Sequence, residues 1–118
     1  IENLRRVGEI SKILYDSGVY VLASFISPFA KDRRNIKKLF KDEDFIEIYV
    51  KCDIDSLQKR DPKGLYKKAL SGEIPNFTGI NSPYEEPENP DLVLDTSKLT
   101  INECLKIIID YLEEKNAI

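Results

Sequence analysis

Three short stretches carry residue types whose chemistry goes beyond packing. The first is Phe25-Ile26-Ser27-Pro28. A serine leaving a strand can turn its hydroxyl toward a ligand, and the backbone amides beside it can meet an anion. The same residues also read as a plain Ser-Pro turn. The second is Lys59-Arg60-Asp61-Pro62-Lys63-Gly64-Leu65-Tyr66-Lys67-Lys68, the densest positive cluster in the chain. Arg and Lys on a segment that closes over a phosphorylated substrate gain strength as water is expelled. On an open helix face they are ordinary solvated side chains. The third is Ile74-Pro75-Asn76-Phe77-Thr78-Gly79. A phenylalanine in a loop bounded by Pro and Gly either stacks on a base, worth about 1–3 kcal/mol in nucleic-acid sites, or anchors the loop to the domain.

Absences narrow the chemistry further. The chain has no histidine, and its two cysteines, Cys52 and Cys104, form no CxxC pair. That excludes a Cys/His zinc centre and a His-based triad within these residues. The thiols read as two buried side chains in a reducing cytoplasm, and a cytoplasmic location is expected. No G-x-x-x-x-G-K-[ST] occurs, and Gly8, Gly18, Gly64, Gly72 and Gly79 stand apart from one another. These residues therefore contain no Walker A phosphate cradle. The 18 basic and 21 acidic residues give a net charge of -3 and are scattered, which argues against a nucleic-acid stripe. The apolar runs fall short of a membrane span, and no secretory signal is visible. Methionine is absent even at position 1, and Ile1-Glu2-Asn3-Leu4-Arg5-Arg6 reads as the inside of an uncapped helix. A truncated or processed product is expected.

The elements that must position these stretches alternate in type. Leu4, Val7, Ile10 (or Ser11) and Leu14 recur at helical spacing over residues 2–17, and Gly18 suits a left-handed cap. Residues 19–23 (VYVLA) read as a strand buried on both faces. Residues 30–41 predict a helix anchored by Ile36, Leu39 and Phe40, and 45–50 (FIEIYV) a second strand. Asp53 or Asp55 can cap a short helix holding Ile54 and Leu57, and Lys63 to Leu70 predicts another. Residues 72–90, with Pro75, Pro83, Pro87 and Pro90, read as a long loop, either functional or disordered. Leu92-Val93-Leu94 predicts a third strand, and Thr100-x-x-Glu103 a capping box opening a last helix that buries Ile101, Leu105, Ile108 and Leu112. The alternation predicts an α/β fold with a parallel sheet and helices on both faces. Ligands in such sheets bind beyond the carboxyl ends of the strands, which selects Ser24 to Pro28, Cys52 to Asp53 and Asp95 to Ser97.

Taken in order, several stretches resemble one family. They are Asn3-Leu4-Arg5-Arg6, Ser24 to Phe29 with Asp32-Arg33, Arg60 to Ala69, Gly72-Glu73-Ile74, Phe77-Thr78-Gly79-Ile80 and Ser82-Pro83-Tyr84-Glu85. Together they resemble the C-terminal two-thirds of adenylylsulfate (APS) kinases, with the part from Arg60 to Pro87 the most specific. The resemblance implies a partial P-loop kinase-like domain over residues 1–118, with a substrate lid at about 60–90. It implies transfer of the ATP γ-phosphate to the 3′-hydroxyl of APS, giving 3′-phosphoadenosine 5′-phosphosulfate (PAPS) in sulfate activation. Carried over, Asn3, Ile26 and Ser27 would meet APS, with Ser27 the catalytic choice because the matching serine of the family is a phosphoserine position. Lys63 would meet its anionic groups with Gly64 and Leu65 beside it, and Phe77 would stack on its adenine beside Asn76 and Thr78. Arg60 and the segment Thr96 to Cys104, with Leu99, would border the adenine of ATP.

Magnesium would be held through the ATP phosphates rather than by protein ligands. The partners implied are APS and ATP or ADP, with neither nucleic acid nor membrane. The resemblance allows a homodimer and a fusion or association with ATP sulfurylase. The family's Walker A loop and its Asp-Gly-Asp segment precede the Asn3 region and have no counterpart here. These residues alone are therefore expected neither to fold stably nor to catalyse. The alternative is a PAPS-binding regulatory domain of an ATP sulfurylase that does not catalyse. A different P-loop nucleotide kinase would leave Phe77-Thr78-Gly79 without a role.

Overall fold

The computed structural model describes residues 2–118; Ile1, the start of the uncapped-helix reading, lies outside them. They divide into two compact units: residues 2–46 with Pro83–Pro87, and Glu47–Ser82 with Glu88–Ile118.

The first unit is built on helix α1, Glu2–Asp16, and helix α2, Ala30–Lys37. Helix α1 ends as its sequence predicts. Gly18 takes φ +81 and donates to the Tyr15 carbonyl at 2.9 Å, while the Val19 amide donates to Leu14 at 3.1 Å. Glycine meets the left-handed turn here without the side-chain clash other residues suffer. The two helices approach closely at the buried Gly8. A Cβ there would lie 3.2 Å from Ile36 and 3.3 Å from Leu39. An aromatic chain extends this contact: Tyr15 meets Phe40 edge-on at 5.4 Å, and Phe40 meets Phe45 at 5.6 Å. The Tyr15 hydroxyl donates to the Asp44 carboxylate, which pushes the phenol up to about 12.

Two expectations fail in this unit. Ile10 and Leu14 are exposed, while Gly8 is buried and Ser11 and Tyr15 are half-buried. The buried face is thus rotated toward the glycine, because that is where a second helix can come nearest. Residues 19–23 form no strand: among the described residues the sheet has two strands, and neither lies here. Leu22 is 97% exposed. An extended segment becomes a strand when a neighbouring strand pairs with it in a ladder, and among the described residues the sheet ladder runs between Ile48–Lys51 and Leu92–Asp95 instead.

The second unit holds the sheet. Strand β1, Ile48–Lys51, pairs in parallel with strand β2, Leu92–Asp95, in the register Ile48 to Leu92 through Lys51 to Asp95. Helix α3, Ile54–Arg60, helix α4, Leu65–Leu70, and the proline-rich loop connect them, as parallel pairing demands. Asp53 rather than Asp55 caps α3, its carboxylate accepting from the Ser56 amide at 2.7 Å. Gly64, at φ +65, opens α4. The capping box forms as predicted: Thr100 accepts from the Glu103 amide at 3.2 Å, and Glu103 accepts from the Thr100 amide at 3.0 Å. It opens helix α5, Ile101–Glu114.

The half-buried stripe of α5 is Cys104, Ile108, Tyr111 and Leu112. Ile101, at 87% exposure, and Leu105 are outside it, against expectation. The helix carries apolar residues on several sides, so spacing alone cannot select the packed one. Among the described residues no helix is long and apolar enough to cross a membrane.

Candidate functional site

The loops leaving β1 and β2 are stitched together. The Thr96 amide and hydroxyl both donate to the Lys51 carbonyl, at 2.8 and 3.0 Å, and the Asp53 amide donates to Ser97 Oγ at 2.9 Å. This is the carboxyl edge of the parallel pair, where α/β domains take ligands. Beside it lies a cavity of about 460 Å³ lined by Arg60, Thr96, Leu99, Thr100, Ile101 and Cys104. All four residues expected at the ATP adenine are therefore neighbours, although Arg60 is 36 positions from Thr96 in sequence. The Arg60 guanidinium is held at two points, donating to the Thr96 carbonyl at 2.6 Å and to Cys52 Sγ at 3.8 Å. Two further lining residues, Thr100 and Ile101, follow from the cap and first turn of α5. Cys52 and Cys104 are free thiols, half-buried rather than buried.

The lid residues sit on local geometry that the sequence only partly announces. Asp61 places its carboxylate on the opening turn of α4, accepting from the Tyr66 amide at 3.2 Å and the Lys67 amide at 3.1 Å. Lys63 is exposed in the turn just before Gly64, and Leu65 is exposed at the helix start. Phe77 packs edge-to-face on Tyr66, with ring centroids 4.9 Å apart, which is the loop-anchor geometry. Asn81 is the clasp of this loop. Its carbonyl oxygen accepts from the Phe77 amide, and its amide group donates to the Ile74 carbonyl at 2.9 Å. Thr78 bridges to Ser82, and Gly79 donates to the Ser82 carbonyl at 2.8 Å. Asn76 holds φ +56, a conformation asparagine tolerates better than most residues. Residues 74–82 are thus closed on themselves by hydrogen bonds.

Asn3, Ile26 and Ser27 belong to the first unit, as do Pro83–Pro87 of the expected lid, while the lid residues from Arg60 to Ser82 and the cavity residues belong to the second. Asn3 is exposed on the first turn of α1, and Ile26 is exposed. Ser27 is half-buried at φ +40, its hydroxyl donating to the Phe25 carbonyl at 3.2 Å. The backbone amides expected here to meet an anion are partly taken. The Ala30 amide, at the start of α2, donates to the Glu85 carboxylate at 2.7 Å. Local spacing gave no sign of this pairing, because 55 positions separate the two residues. Among the described residues no group of three or more Cys, Asp or Glu side chains could hold a metal ion.

A parallel strand pair whose carboxyl-end loops border a cavity, with helices beside it, is part of an α/β domain of the P-loop kinase-like class. The sequence model of the family described as Adenylylsulphate kinase matches residues 1–95, and the chain belongs to that family. It is 53% identical over 116 residues to the adenylyl-sulfate kinase of Geotalea uraniireducens, covering 98% of this chain and 56% of that protein. It is 51% identical over 118 residues to that of Marinobacter nauticus, covering 100% and 59%. Among solved structures, the Mycobacterium tuberculosis APS kinase CysC in complex with AMPPNP and APS superposes with a TM-score of 0.87 at 45% identity, covering 95% of this chain and 65% of that one. The chain thus spans somewhat over half the length of these curated relatives.

Proposed function

We propose that the protein carrying these residues transfers the γ-phosphate of ATP to the 3′-hydroxyl of APS, yielding PAPS. The observation that carries this reading is the cavity where Arg60, Thr96, Leu99 and Cys104 meet, in a chain of the adenylylsulphate kinase family. Apolar walls with a few fixed polar groups suit a nucleobase. A guanidinium held in place offers a flat cationic surface for stacking, which lysine cannot imitate. Lys63 supplies positive charge at the turn into α4 for the anionic groups of APS, with Gly64 and Leu65 beside it. Phe77, with Asn76 and Thr78, meets the adenine of APS, and Asn3, Ile26 and Ser27 complete the substrate side. Phosphoryl transfer proceeds mostly by positioning and cationic stabilisation, and these residue types supply both. Magnesium, if held through the ATP phosphates, would supply positive charge against the charge that develops there. The described residues offer it no ligand cluster of their own.

The test uses the full-length gene product, with PAPS formation from APS and ATP as the readout and calorimetry for APS uptake. Arg60→Ala is expected to raise the KM for ATP roughly tenfold, the scale of a lost charge-assisted contact. Lys63→Ala and Phe77→Ala are expected to weaken APS binding by a similar factor. No APS uptake by the unaltered protein would sink the assignment, as would Lys63 and Phe77 variants that behave like it. PAPS binding without turnover would point instead to a regulatory domain. The 118 residues by themselves contain no Walker A loop and are expected to show no turnover.

A further inference from the structure

Ser27 sits at φ +40 without being glycine. Such a backbone carries strain and persists only where its surroundings over-determine it. Two parts of the first unit converge on it. From α2, the Arg33 guanidinium donates one N–H to the Ser27 carbonyl at 2.5 Å and another to the Glu85 carbonyl at 2.6 Å. The same guanidinium lies 5.9 Å from the centre of the Tyr84 ring. From the segment 83–87, the Glu85 amide donates to the Pro28 carbonyl at 2.8 Å, and the Glu85 carboxylate accepts from the Ala30 amide at 2.7 Å. Three of these hydrogen bonds hold residues 27–30, and the fourth ties Arg33 to the distant loop.

We propose that Arg33 and Glu85 are positioning residues: together they clamp the Ser27 loop in the left-handed conformation in which it meets APS. This rests on the reading of Ser27 as part of the APS site. Neither residue needs to touch substrate. Arg33 acts through the Ser27 carbonyl, and its planar fork is what reaches two carbonyls at once. Glu85 acts through the Ala30 amide, filling the start of α2 with a protein carboxylate. The clamp fixes the loop before substrate arrives, which removes part of the ordering cost of binding.

The experiment compares Arg33→Gln, Arg33→Lys, Glu85→Ala and Glu85→Gln in the full-length gene product. Amide hydrogen exchange over residues 27–31 and at Glu85 reports the clamp. KM values for APS and for ATP, with calorimetric APS affinity, report its use. Arg33→Gln and Glu85→Ala are expected to speed exchange and to raise the KM for APS by roughly tenfold each, with the KM for ATP unchanged. Glu85→Gln keeps an acceptor for the Ala30 amide and should recover most of the loss. Arg33→Lys, with one ammonium in place of a fork, should recover little. If Arg33→Gln fails to fold, the Glu85 pair still reads the clamp. Exchange at the unaltered rate in Glu85→Ala overturns the clamp. Faster exchange with undiminished APS affinity overturns its positioning role. An unaltered protein that takes up no APS defeats the proposed function instead, and exchange alone then decides whether the clamp exists.

Discussion

Several side chains here act on backbone rather than on each other. Asp61 and Asn81 hold the lid by accepting from or donating to main-chain groups, and Asp53 does the same at the start of α3. Asp53 also has the clearest electrostatic signature. The Ser97 hydroxyl, then the Ser56 amide and hydroxyl, hold its carboxyl down to about 2, against an ordinary 3.8. Hydrogen bonds to the ionised form favour that form. A carboxyl lowered on folding contributes stability that is complete above its unfolded value and is lost as pH falls through its folded one. The melting-temperature gap between the unaltered protein and Asp53→Asn should therefore hold steady above pH 3.8 and shrink as the pH approaches 2. A gap of constant size down to that pH would rule out the carboxylate as the source. Both variants of the comparison keep a side-chain oxygen to cap α3, so the pH dependence isolates the charge.

At the level of elements, the ends of helices were more legible than their buried faces. Thr100 and Glu103 announce the start of α5 because capping depends on neighbours three positions apart. Thr100→Ala should destabilise the fold by about 1 kcal/mol, read as a shift in denaturant midpoint at unchanged slope. An unshifted midpoint would mean that the end of α5 frays in the native state. The faces of α1 and α5 depend instead on what packs against them. In α1 the deciding residue is Gly8, whose missing side chain admits Ile36 and Leu39. Gly8→Val should overpack this contact and cost about 1–3 kcal/mol. The same substitution at Gly18 would act differently: nothing lies within 4 Å, and the cost there comes from its φ of +81.

Across the whole molecule, little apolar surface is hidden. Among the described residues Ala69 and Leu94 are the buried hydrophobic ones, and Tyr20, Leu22, Ile26, Val50 and Ile101 are each more than half exposed. Folding stability rests on apolar area removed from water against chain entropy, and this area is small for 118 residues. The 118-residue polypeptide, prepared alone, should bind the dye ANS strongly and melt without a sharp transition. A single cooperative melt with no dye uptake would contradict that expectation. The exposed run at 19–23 belongs to the same account: its composition suits a strand, but strand formation is a property of pairs.

Local chemistry was settled by the sequence itself. The capping box at Thr100, the left-handed turn at Gly18 and a cap for α3 at Asp53 or Asp55 follow from residues within a few positions of each other, and the strands expected at 45–50 and 92–94 fall within a few residues of the observed Ile48–Lys51 and Leu92–Asp95. The ordered stretches from Asn3 to Glu85 also sufficed for the family. The tertiary structure decided which distant groups meet: Arg60 with Thr96, Phe77 with Tyr66, and Arg33 and Glu85 around Ser27. Hydrogen bonds and ring contacts act over a few ångströms of space, however many residues of chain lie between them. No spacing rule along the sequence can anticipate them.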